Sequence, residues 1–291
     1  MAATLDRAVA PATVGEALAL ADHRLRAVGL DSSEALVLVA RVLDVSRASV
    51  LASPERPLSA DETARFAAWL GRRERREPFA YILGEREFYG LDFQVDARVL
   101  VPRPESELIV ELALDRVGAL RWTGLERPVV VDVGTGSGAL AWSVAVHAPT
   151  ARVIASDVSA AALQVAARNR SALRVTRSGC LIQGDLLAWL GGRADIVMAN
   201  LPYIPSAAIG GLMPDVREFE PWLALDGGPS GMSLIERLIS QLPDHLCSGG
   251  VALLELDPPQ VEPVRRLAGW AEVVVHRDLA GLDRVAELRR R

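Results

Sequence analysis

Residues 129–138, VVVDVGTGSG, decide the fold, because an apolar β-branched run ends there in three glycines at alternate positions. Valine runs of this kind are typical of strands that are buried on both faces of a sheet. Glycine lets the backbone turn sharply and lets a ligand approach without meeting a Cβ. A helical pattern begins at Ala139, so the loop leads into unpaired N–H groups and the positive end of a helix dipole. The segment predicts a strand, a tight loop and a helix that bind a nucleotide-type cofactor.

This loop alone leaves two cofactors open. Gly134, Gly136 and Ala139 fit the G-x-G-x-x-A pattern of dinucleotide-binding folds. The same residues, taken from Asp132 as D-x-G-x-G-x-G, resemble the first motif of S-adenosylmethionine-dependent methyltransferases. Either match is weak by itself, and other parts of the chain have to decide between them.

Length and composition restrict the class of protein. At 291 residues the chain is longer than one average domain, which favours one large domain and a smaller one. The net charge is −5 and the pI about 5.5, so the overall charge does not favour binding to nucleic acid. All 32 basic residues are arginine, which we attribute to biased genome composition.

Other sequence features bear on location. The two cysteines, Cys180 and Cys247, match no metal-binding spacing and predict buried thiols in a reducing cytoplasm. The apolar runs are too short to span a membrane, and the N-terminus has no secretion signal. We therefore expect a cytoplasmic protein without a metal site.

The first part of the chain predicts a small bundle of short helices over residues 1–77. Thr13 with Glu16 and Ser59 with Glu62 form the T/S-x-x-E capping-box pattern. A second helix opens at Ser32 and continues through apolar residues at helical spacing. Four clustered arginines at 72, 73, 75 and 76 are either a basic contact surface or a charge complement to a helix end.

A different pattern follows the bundle. Residues 78–100 predict a β-hairpin linker, since aromatic and polar residues alternate around Gly90. The prolines in Val101-Pro102-Arg103-Pro104-Glu105 predict a stiff extended segment, followed by a helix from Glu105 to about Val117. Arg103 and Glu105 either face the cofactor or pair on the surface. Residues 101–291 then form the cofactor-binding catalytic domain.

Strands and helices alternate through this last domain. Such alternation predicts an α/β fold with an open, seven-stranded, mostly parallel sheet covered by helices on both faces, of the Rossmann-like type. Ligands of these sheets bind beyond the carboxyl ends of the strands. Four polar residues stand at such ends: Asp132, Asp157, Asp185 and Asn200.

These side chains suggest separate tasks. Asp157 follows the last glycine by 19 residues, where a carboxylate can accept both hydroxyls of a ribose. Asp185 ends the next strand, close to where an adenine amino group would lie. Asp132 can face the ammonium of a methionine moiety, a charge that a nicotinamide dinucleotide lacks.

The most specific signal is Asn200-Leu201-Pro202-Tyr203. An amide nitrogen is a poor nucleophile, so it must be held in line with a methyl donor while its N–H bonds are polarised. The side-chain oxygen of Asn200 and the carbonyl of Leu201 can accept those two hydrogens, and Pro202 stiffens the turn. Tyr203 offers a flat face to a planar group. The same arrangement also suits the exocyclic amine of adenine.

With these motifs in place, the chain resembles the release-factor glutamine methyltransferases, the HemK/PrmC family, over nearly its whole length. The matching segments are residues 78–84, 87–88, 101–105, 132–138, 200–205, 215–221, 227–228, 231–232 and 277–281. The resemblance implies S-adenosyl-L-methionine as cofactor and methylation of the glutamine side chain in the Gly-Gly-Gln loop of class I peptide-chain release factors. It implies cofactor contacts at Gly134, Thr135, Gly136, Ser137, Gly138, Asp157, Leu186 and Asn200, and contacts with the substrate amide at Asn200, Leu201, Pro202 and Tyr203.

Two positions depart from the family pattern. Leu201 replaces the usual proline of Asn-Pro-Pro-Tyr, and Asp257 stands where glycine is usual. Asn-Leu-Pro-Tyr is also typical of ribosomal RNA adenine dimethyltransferases, but these carry their helical domain after the catalytic one and need a basic surface. A non-catalytic protein that keeps the fold is a third alternative. We expect the glutamine methyltransferase, with no membrane association and no direct binding of nucleic acid.

Overall fold

The structure is a computed structural model in which residues 10–176 and 178–291 are described. It has two compact units, of which the first ends at Leu83 and the second begins at Gly84. The first unit is helical. Its helices are α1 (Val14–Ala27), α2 (Ser33–Leu43), α3 (Arg47–Ala52), α4 (Ala60–Glu74) and α5 (Phe79–Leu83). The last helix lies in the segment 78–100 that the sequence predicted as a hairpin linker.

Local signals explain where two of these helices begin. Before α4, Ser59 accepts the N–H of Glu62 and the Glu62 carboxylate accepts the N–H of Ser59, as the capping box requires. Before α1, Thr13 accepts the N–H of Glu16, but the Glu16 carboxylate accepts the N–H of Ala12 instead. Both arrangements satisfy N–H groups that a helix leaves unpaired at its start.

Two of the clustered arginines form ion pairs within the first unit. Arg73 is buried and binds the carboxylate of Glu34 at 2.5 and 3.0 Å. Arg72 binds Glu77 at 2.6 and 2.8 Å. Both arginines also lie in the last turn of α4, where a cation complements the helix dipole. These two side chains therefore stabilise the bundle.

The second unit opens with a hairpin of β1 (Glu85–Phe88) and β2 (Leu91–Gln94). A seven-stranded sheet follows, in the order β5-β4-β3-β6-β7-β9-β8. Strand β9 runs opposite to the other six strands of this sheet, which share one direction. The strands of the seven-stranded sheet are β3 (Val129–Val133), β4 (Arg152–Asp157), β5 (Gly179–Gln183), β6 (Ala194–Ala199), β7 (Leu246–Glu255), β8 (Ala271–Arg277) and β9 (Asp283–Arg290). The prediction of an open, mostly parallel sheet of seven strands is confirmed.

Helices of the second unit present apolar side chains to this sheet. In α10, for example, Ile235, Leu238, Ile239 and Leu242 recur at helical spacing and are all buried. The helices are α6 (Glu107–Trp122), α7 (Ala139–His147), α8 (Ala160–Ala172), α9 (Pro214–Arg217), α10 (Ser233–His245) and α11 (Val261–Leu267). Within residues 10–176 and 178–291, no helix combines the length and apolarity needed to cross a bilayer.

The core consists of two apolar layers, because successive side chains of a strand point to opposite faces. In β3, Val130 packs into one layer while Val131 and Val133 pack into the other. All three are at most 1% exposed, as expected for a strand covered on both faces. The valine run is therefore buried in the centre of the sheet.

The chain order reverses between β3 and β6. Strands β4 and β5 extend the sheet on one side of β3, and β6 pairs with β3 on the other side. In open α/β sheets, a crevice forms at such a reversal, beyond the carboxyl ends of the strands. The glycine loop leaves β3 at this point, and Asn200 follows β6 directly.

Candidate cofactor and active site

The end of β4 holds the glycine loop in place. The N–H groups of Gly134 and Thr135 both donate to the carbonyl of Ser156 at 2.9 Å. The N–H of Gly136 donates to Oδ2 of Asp157 at 2.9 Å. The loop is thereby fixed to the next strand through backbone groups, which leaves its outer surface for a ligand.

The first and last glycines of the loop are required for different reasons. Gly134 has φ of +74°, a conformation that favours glycine, and a Cβ there would lie 3.0 Å from Cδ2 of Leu201. At Gly138 a Cβ would lie 2.2 Å from the indole nitrogen of Trp142. That indole is fully buried and donates to the carbonyl of Ala166 at 2.9 Å. Gly134 therefore permits contact with the segment after β6, and Gly138 permits packing of Trp142.

Asp132 lies beneath the loop and does not line the crevice. Its Oδ2 accepts the hydroxyl of Thr135 at 2.6 Å and the N–H of Ala141 at 3.2 Å. The carboxyl is fully buried, and burial raises its pKa to about 7. Its other oxygen, Oδ1, is a buried atom without a hydrogen-bond partner among the described residues. In this structure Asp132 holds the glycine loop and the start of α7 in place through these two hydrogen bonds.

The ends of β4 and β5 supply polar and apolar groups to the crevice. Asp157 accepts the N–H of Gly136 through Oδ2 and that of Ser159 through Oδ1, which leaves further lone pairs on both oxygens. Burial raises the pKa of the Asp157 carboxyl. Asp185 is half exposed and forms a 2.5 Å ion pair with Arg237 of α10. The carboxyl groups of Asp157 and Asp185 are thus in different environments, since Asp157 is half-buried and Asp185 is solvated.

These groups surround a cavity of about 390 Å³, a volume within the range of small-molecule sites. Its lining brings together most of the residues that the sequence selected: Gly134, Thr135, Gly136, Ser137, Asp157, Asp185, Leu186, Asn200, Leu201 and Pro202. The remaining wall is largely apolar and includes Phe88, Val99, Leu140, Ala162, Leu223 and Leu234. This lining fits S-adenosylmethionine, which combines charged, ribose and adenine parts: it offers a glycine loop, the half-buried carboxylate of Asp157 with spare acceptor capacity, and an apolar wall.

The segment after β6 forms one wall of this cavity. Asn200 donates from Nδ2 to the hydroxyl of Ser106 at 2.9 Å, and Ser106 donates to Oε2 of Glu255 at 2.5 Å. Leu201 is 5% exposed, and its side chain packs against the glycine loop at Gly134. Leucine in place of proline therefore adds an apolar contact between this segment and the loop.

Tyr203 lies next to the cavity and is not part of its lining. Its ring packs against the apolar layer that contains Leu201. Burial, followed by the negative charge of Glu255, raises the pKa of the Tyr203 phenol to about 12. In this structure the tyrosine belongs to the apolar layer beside the cavity.

A second loop supports the backbone around Tyr203. Gln260 donates from Nε2 to the carbonyls of Tyr203 at 3.1 Å and Gly231 at 3.0 Å. The backbone approaches so closely here that a Cβ on Gly231 would lie 2.3 Å from the Tyr203 oxygen. At Gly227, a Cβ would lie 2.8 Å from the carbonyl oxygen of Pro202. These glycines therefore allow residues 227–231 to pack directly on the turn.

Arg103 lines the cavity, as one of the two sequence alternatives expected, and its ion pair is with the buried Glu220 instead of at the surface. One of its terminal nitrogens lies 2.7 and 2.8 Å from the two carboxylate oxygens of Glu220. The Glu220 side chain is only 1% exposed, and burial raises the pKa of its carboxyl. The pair connects the proline-rich segment to the chain that follows α9.

Asn169 of α8 connects the hairpin to the glycine loop. Its Oδ1 accepts the N–H of Gln94 at 2.7 Å, and its Nδ2 donates to the carbonyls of Gln94 at 2.9 Å and Ser137 at 2.8 Å. The residue is fully buried. The side-chain amide of Asn169 therefore pairs with both backbone groups of Gln94, as a neighbouring strand would, and at the same time holds the carbonyl of Ser137 in the glycine loop.

Sequence reasoning missed Ser106, Asn169 and Glu255. Glu255 ends β7 just as Asp157 ends β4, so the rule that selected polar residues at strand ends also applies to it. Ser106 gives no such signal, since a serine before a helix is usually a cap for that helix. Asn169 lies inside a helix, where its sequence position says nothing of its partners.

Comparison with known proteins agrees with this geometry. The family model described as the PrmC N-terminal domain matches residues 16–84, and the methyltransferase small domain matches residues 117–210. The release factor glutamine methyltransferase of Moorella thermoacetica is 40% identical over 279 residues, which cover 94% of this chain and 96% of that protein. The protein of the same name from Chlorobaculum tepidum is 40% identical over 255 residues, covering 85% and 86%.

A solved structure shows the same fold at low sequence identity. The T. thermophilus 16S rRNA N2 G1207 methyltransferase, in complex with AdoMet and guanosine, is 18% identical, with a TM-score of 0.50 over 71% of this chain and 50% of that chain. The sheet order, the glycine loop and the crevice are those of S-adenosylmethionine-dependent methyltransferases. Within that class, the chain belongs to the release factor glutamine methyltransferase family.

Proposed function

We propose that this chain transfers a methyl group from S-adenosyl-L-methionine to the side-chain amide nitrogen of a glutamine in the Gly-Gly-Gln loop of a class I peptide-chain release factor. The observation that carries this proposal is the orientation of the Asn200 amide at the edge of the cavity. Its Nδ2 donates to Ser106, so that Oδ1 is left to accept a hydrogen bond from another group. An amide N–H of the substrate is a donor of the kind that Oδ1 requires.

Several residues would hold the cofactor, which supplies an electrophilic methyl group on a sulfonium when bound. The glycine loop from Gly134 to Gly138 would cover it from the side of β3. Asp157 has one lone-pair site left on each oxygen for the ribose hydroxyls. Asp185 and Leu186 line the part of the cavity beyond β5, where we place the adenine.

Asn200 and Leu201 would orient the glutamine amide. An amide nitrogen is weakly nucleophilic because its lone pair is delocalised, so positioning and exclusion of water have to supply much of the rate. Oδ1 of Asn200 and the carbonyl of Leu201 would accept the two amide hydrogens, and Pro202 would limit the movement of the turn. Gln260 would hold this turn through its hydrogen bond to the carbonyl of Tyr203, and stacking of the Tyr203 ring on the substrate stays a prediction.

The helical unit would recognise the substrate protein. The sequence predicts a helical bundle over residues 1–77, and the corresponding compact unit continues through α5 to Leu83. The unit has its own apolar core, and the ion pairs of Arg72 and Arg73 lie within it. The cytoplasmic location expected from the sequence stays a prediction, and it is the location that a substrate of the translation machinery would require.

One transfer assay tests the proposal. The protein is incubated with methyl-labelled S-adenosylmethionine and a purified class I release factor, beside a copy in which the loop glutamine is alanine. Label in the first factor and not in the second is expected. Equal label in both, or label only in added ribosomal RNA, would contradict the proposal, and the second result would favour the adenine methyltransferase alternative.

A further inference from the structure

Ser106 occupies a helix start but does not cap the helix. It is the residue before α6, and its side chain makes no hydrogen bond to the N–H groups of that helix. Ser106 ends the 3-10 turn Pro104–Ser106 and has helical φ and ψ of −71° and −14°, so its side chain is not needed as a cap for α6. The hydroxyl lies between Asn200, at 2.9 Å, and Glu255, at 2.5 Å. It therefore links the end of β6 to the end of β7.

The chemistry of these three groups fixes the direction of the hydrogen bonds. A hydroxyl has a single proton, and in this structure Ser106 donates that proton to Oε2 of Glu255. The serine oxygen can then offer Asn200 only a lone pair, and Nδ2 of Asn200 donates to it. Asn200 has to present its NH2 group to Ser106, which directs its carbonyl oxygen elsewhere.

Glu255 is well placed to set this direction. It ends β7, the strand that pairs with β6, and the residues directly before Asn200 and Glu255 are cross-strand partners (Ala199 and Leu254). Its carboxyl is 2% exposed, and Arg284 and the Tyr203 hydroxyl both face it. It does not itself line the cavity, although a buried carboxylate is costly to maintain.

We propose that Glu255, acting through Ser106, is a positioning residue that locks the amide of Asn200 with Oδ1 towards the substrate. This inference rests on the proposed function, because it names the groups that orient the amide acceptor of that reaction. The terminal torsion of asparagine is broad and roughly two-fold, so neighbouring groups have to select one orientation. A flipped amide would present N–H groups to the N–H groups of a glutamine, and transfer would be slow.

The kinetic test uses three serine variants of the full-length protein. Ser106→Ala removes the link and is expected to lower kcat by roughly 10- to 100-fold, the range for a misplaced reacting group. The S-adenosylmethionine Kd, measured by calorimetry, is expected to change less than about 3-fold, since the glycine loop is untouched. Ser106→Thr keeps the hydroxyl and is expected to restore most of kcat. Ser143→Ala is the matched control, because Ser143 is also fully buried but its hydroxyl has no partner among the described residues.

A second readout needs no methyl transfer. In ¹⁵N-labelled protein, the side-chain NH2 signal of Asn200 is assigned by its loss in Asn200→Asp. Its exchange with water is expected to be slow in the wild type and in Ser106→Thr, and faster by roughly 10-fold or more in Ser106→Ala, which lacks the acceptor. If Ser106→Ala does not fold, Glu255→Gln tests the same prediction, since a neutral amide holds the Ser106 proton less strongly.

The outcomes separate the two proposals. Absence of transfer by the wild type to the release factor would overturn the proposed function, whatever the NH2 signal shows. Unchanged kcat in Ser106→Ala, or an Asn200 NH2 signal that exchanges equally slowly without the hydroxyl, would overturn the positioning role. A loss of kcat in Ser106→Thr equal to that in Ser106→Ala would also overturn it, because the effect would then follow the packing and not the hydrogen bond.

Discussion

Gly231→Ala tests whether the loop at 227–231 sets the geometry of the catalytic turn. A Cβ on residue 231 would lie 2.3 Å from the carbonyl oxygen of Tyr203 and 3.2 Å from Nε2 of Gln260. The first contact is with backbone, so the turn would have to move by about 1 Å to reach van der Waals distance. Residue 231 also has φ of +74°, which costs an alanine about 1–2 kcal/mol.

A displacement of this size predicts a specific kinetic result. A misplacement of 1 Å can cost about 100-fold in rate, so kcat for the release factor is expected to fall about 100-fold. The Kd for S-adenosylmethionine is expected to stay within about 3-fold, because Gly231 contacts neither the glycine loop nor Asp157. Single-turnover transfer measures the first quantity and calorimetry the second.

Gly211→Ala is the matched control for this experiment. Gly211 lies at the end of the nearby 3-10 turn, Ser206–Gly211, and a Cβ there would have no heavy atom within 4 Å. This variant is expected to keep the wild-type kcat. If Gly231→Ala transferred methyl groups as fast as Gly211→Ala, the turn would not depend on the close packing described here, and the reasoning would be refuted.

Four further substitutions test other parts of the site. Asp157→Asn is expected to raise the S-adenosylmethionine Kd about 10- to 100-fold, since hydrogen bonds to a charged group are lost. Asp185→Asn is expected to raise the same Kd less than about 5-fold, because the Asp185 carboxylate is half exposed and ion-paired. The carboxyl of Asp132 has a pKa of about 7 in the folded protein and about 4 in the unfolded chain. The wild type therefore loses the stability that this group contributes as the pH rises from about 4 to 7. Asp132→Asn is expected to flatten the dependence of Tm on pH in that range. Leu201→Pro is expected to keep kcat within about 3-fold while lowering Tm, because the buried leucine side chain is lost from its contact with Gly134.

Each of these substitutions has a result that would count against it. Equal Kd values for Asp157→Asn and Asp185→Asn would remove the special role given to the carboxylate of Asp157. A Tm profile for Asp132→Asn that parallels the wild type between pH 4 and 7 would mean that this carboxyl does not titrate as its burial indicates. A rise in Tm for Leu201→Pro would show that the leucine contributes nothing to the packing of the loop.

The sheet and most of the cavity could be predicted from the sequence, because parallel strands bring their carboxyl ends to one edge. Asp157, Asp185 and Asn200 were selected on this ground, and all three line the cavity. The rule gives the place of a residue but not the direction of its side chain. Asp132 meets the rule and yet points beneath the loop, where the hydroxyl of Thr135 holds it.

Ser106 shows why the remainder of the site could not be predicted. Its neighbours along the chain indicate a helix cap, whereas its partner Glu255 is 149 residues away. A single sequence contains no signal for such a pair, since it arises only when the proline-rich segment packs against the end of β7. The bounds of α6 were also misplaced: a 3-10 turn, Pro104–Ser106, comes first, and the helix then runs from Glu107 to Trp122 instead of over 105–117.

The three hydrogen bonds of Asn169 make the hairpin and the glycine loop a single mechanical unit. Opening β2 would break two bonds to Gln94 and release the amide that restrains the carbonyl of Ser137, so that fluctuations of the two segments are coupled. A ligand that reduces the fluctuations of the glycine loop would then also reduce those of the hairpin. The amide proton of Gln94, which lies on an outer strand, would exchange with deuterium more slowly once the crevice is filled, and the hairpin would report occupancy of a site to which it contributes few atoms.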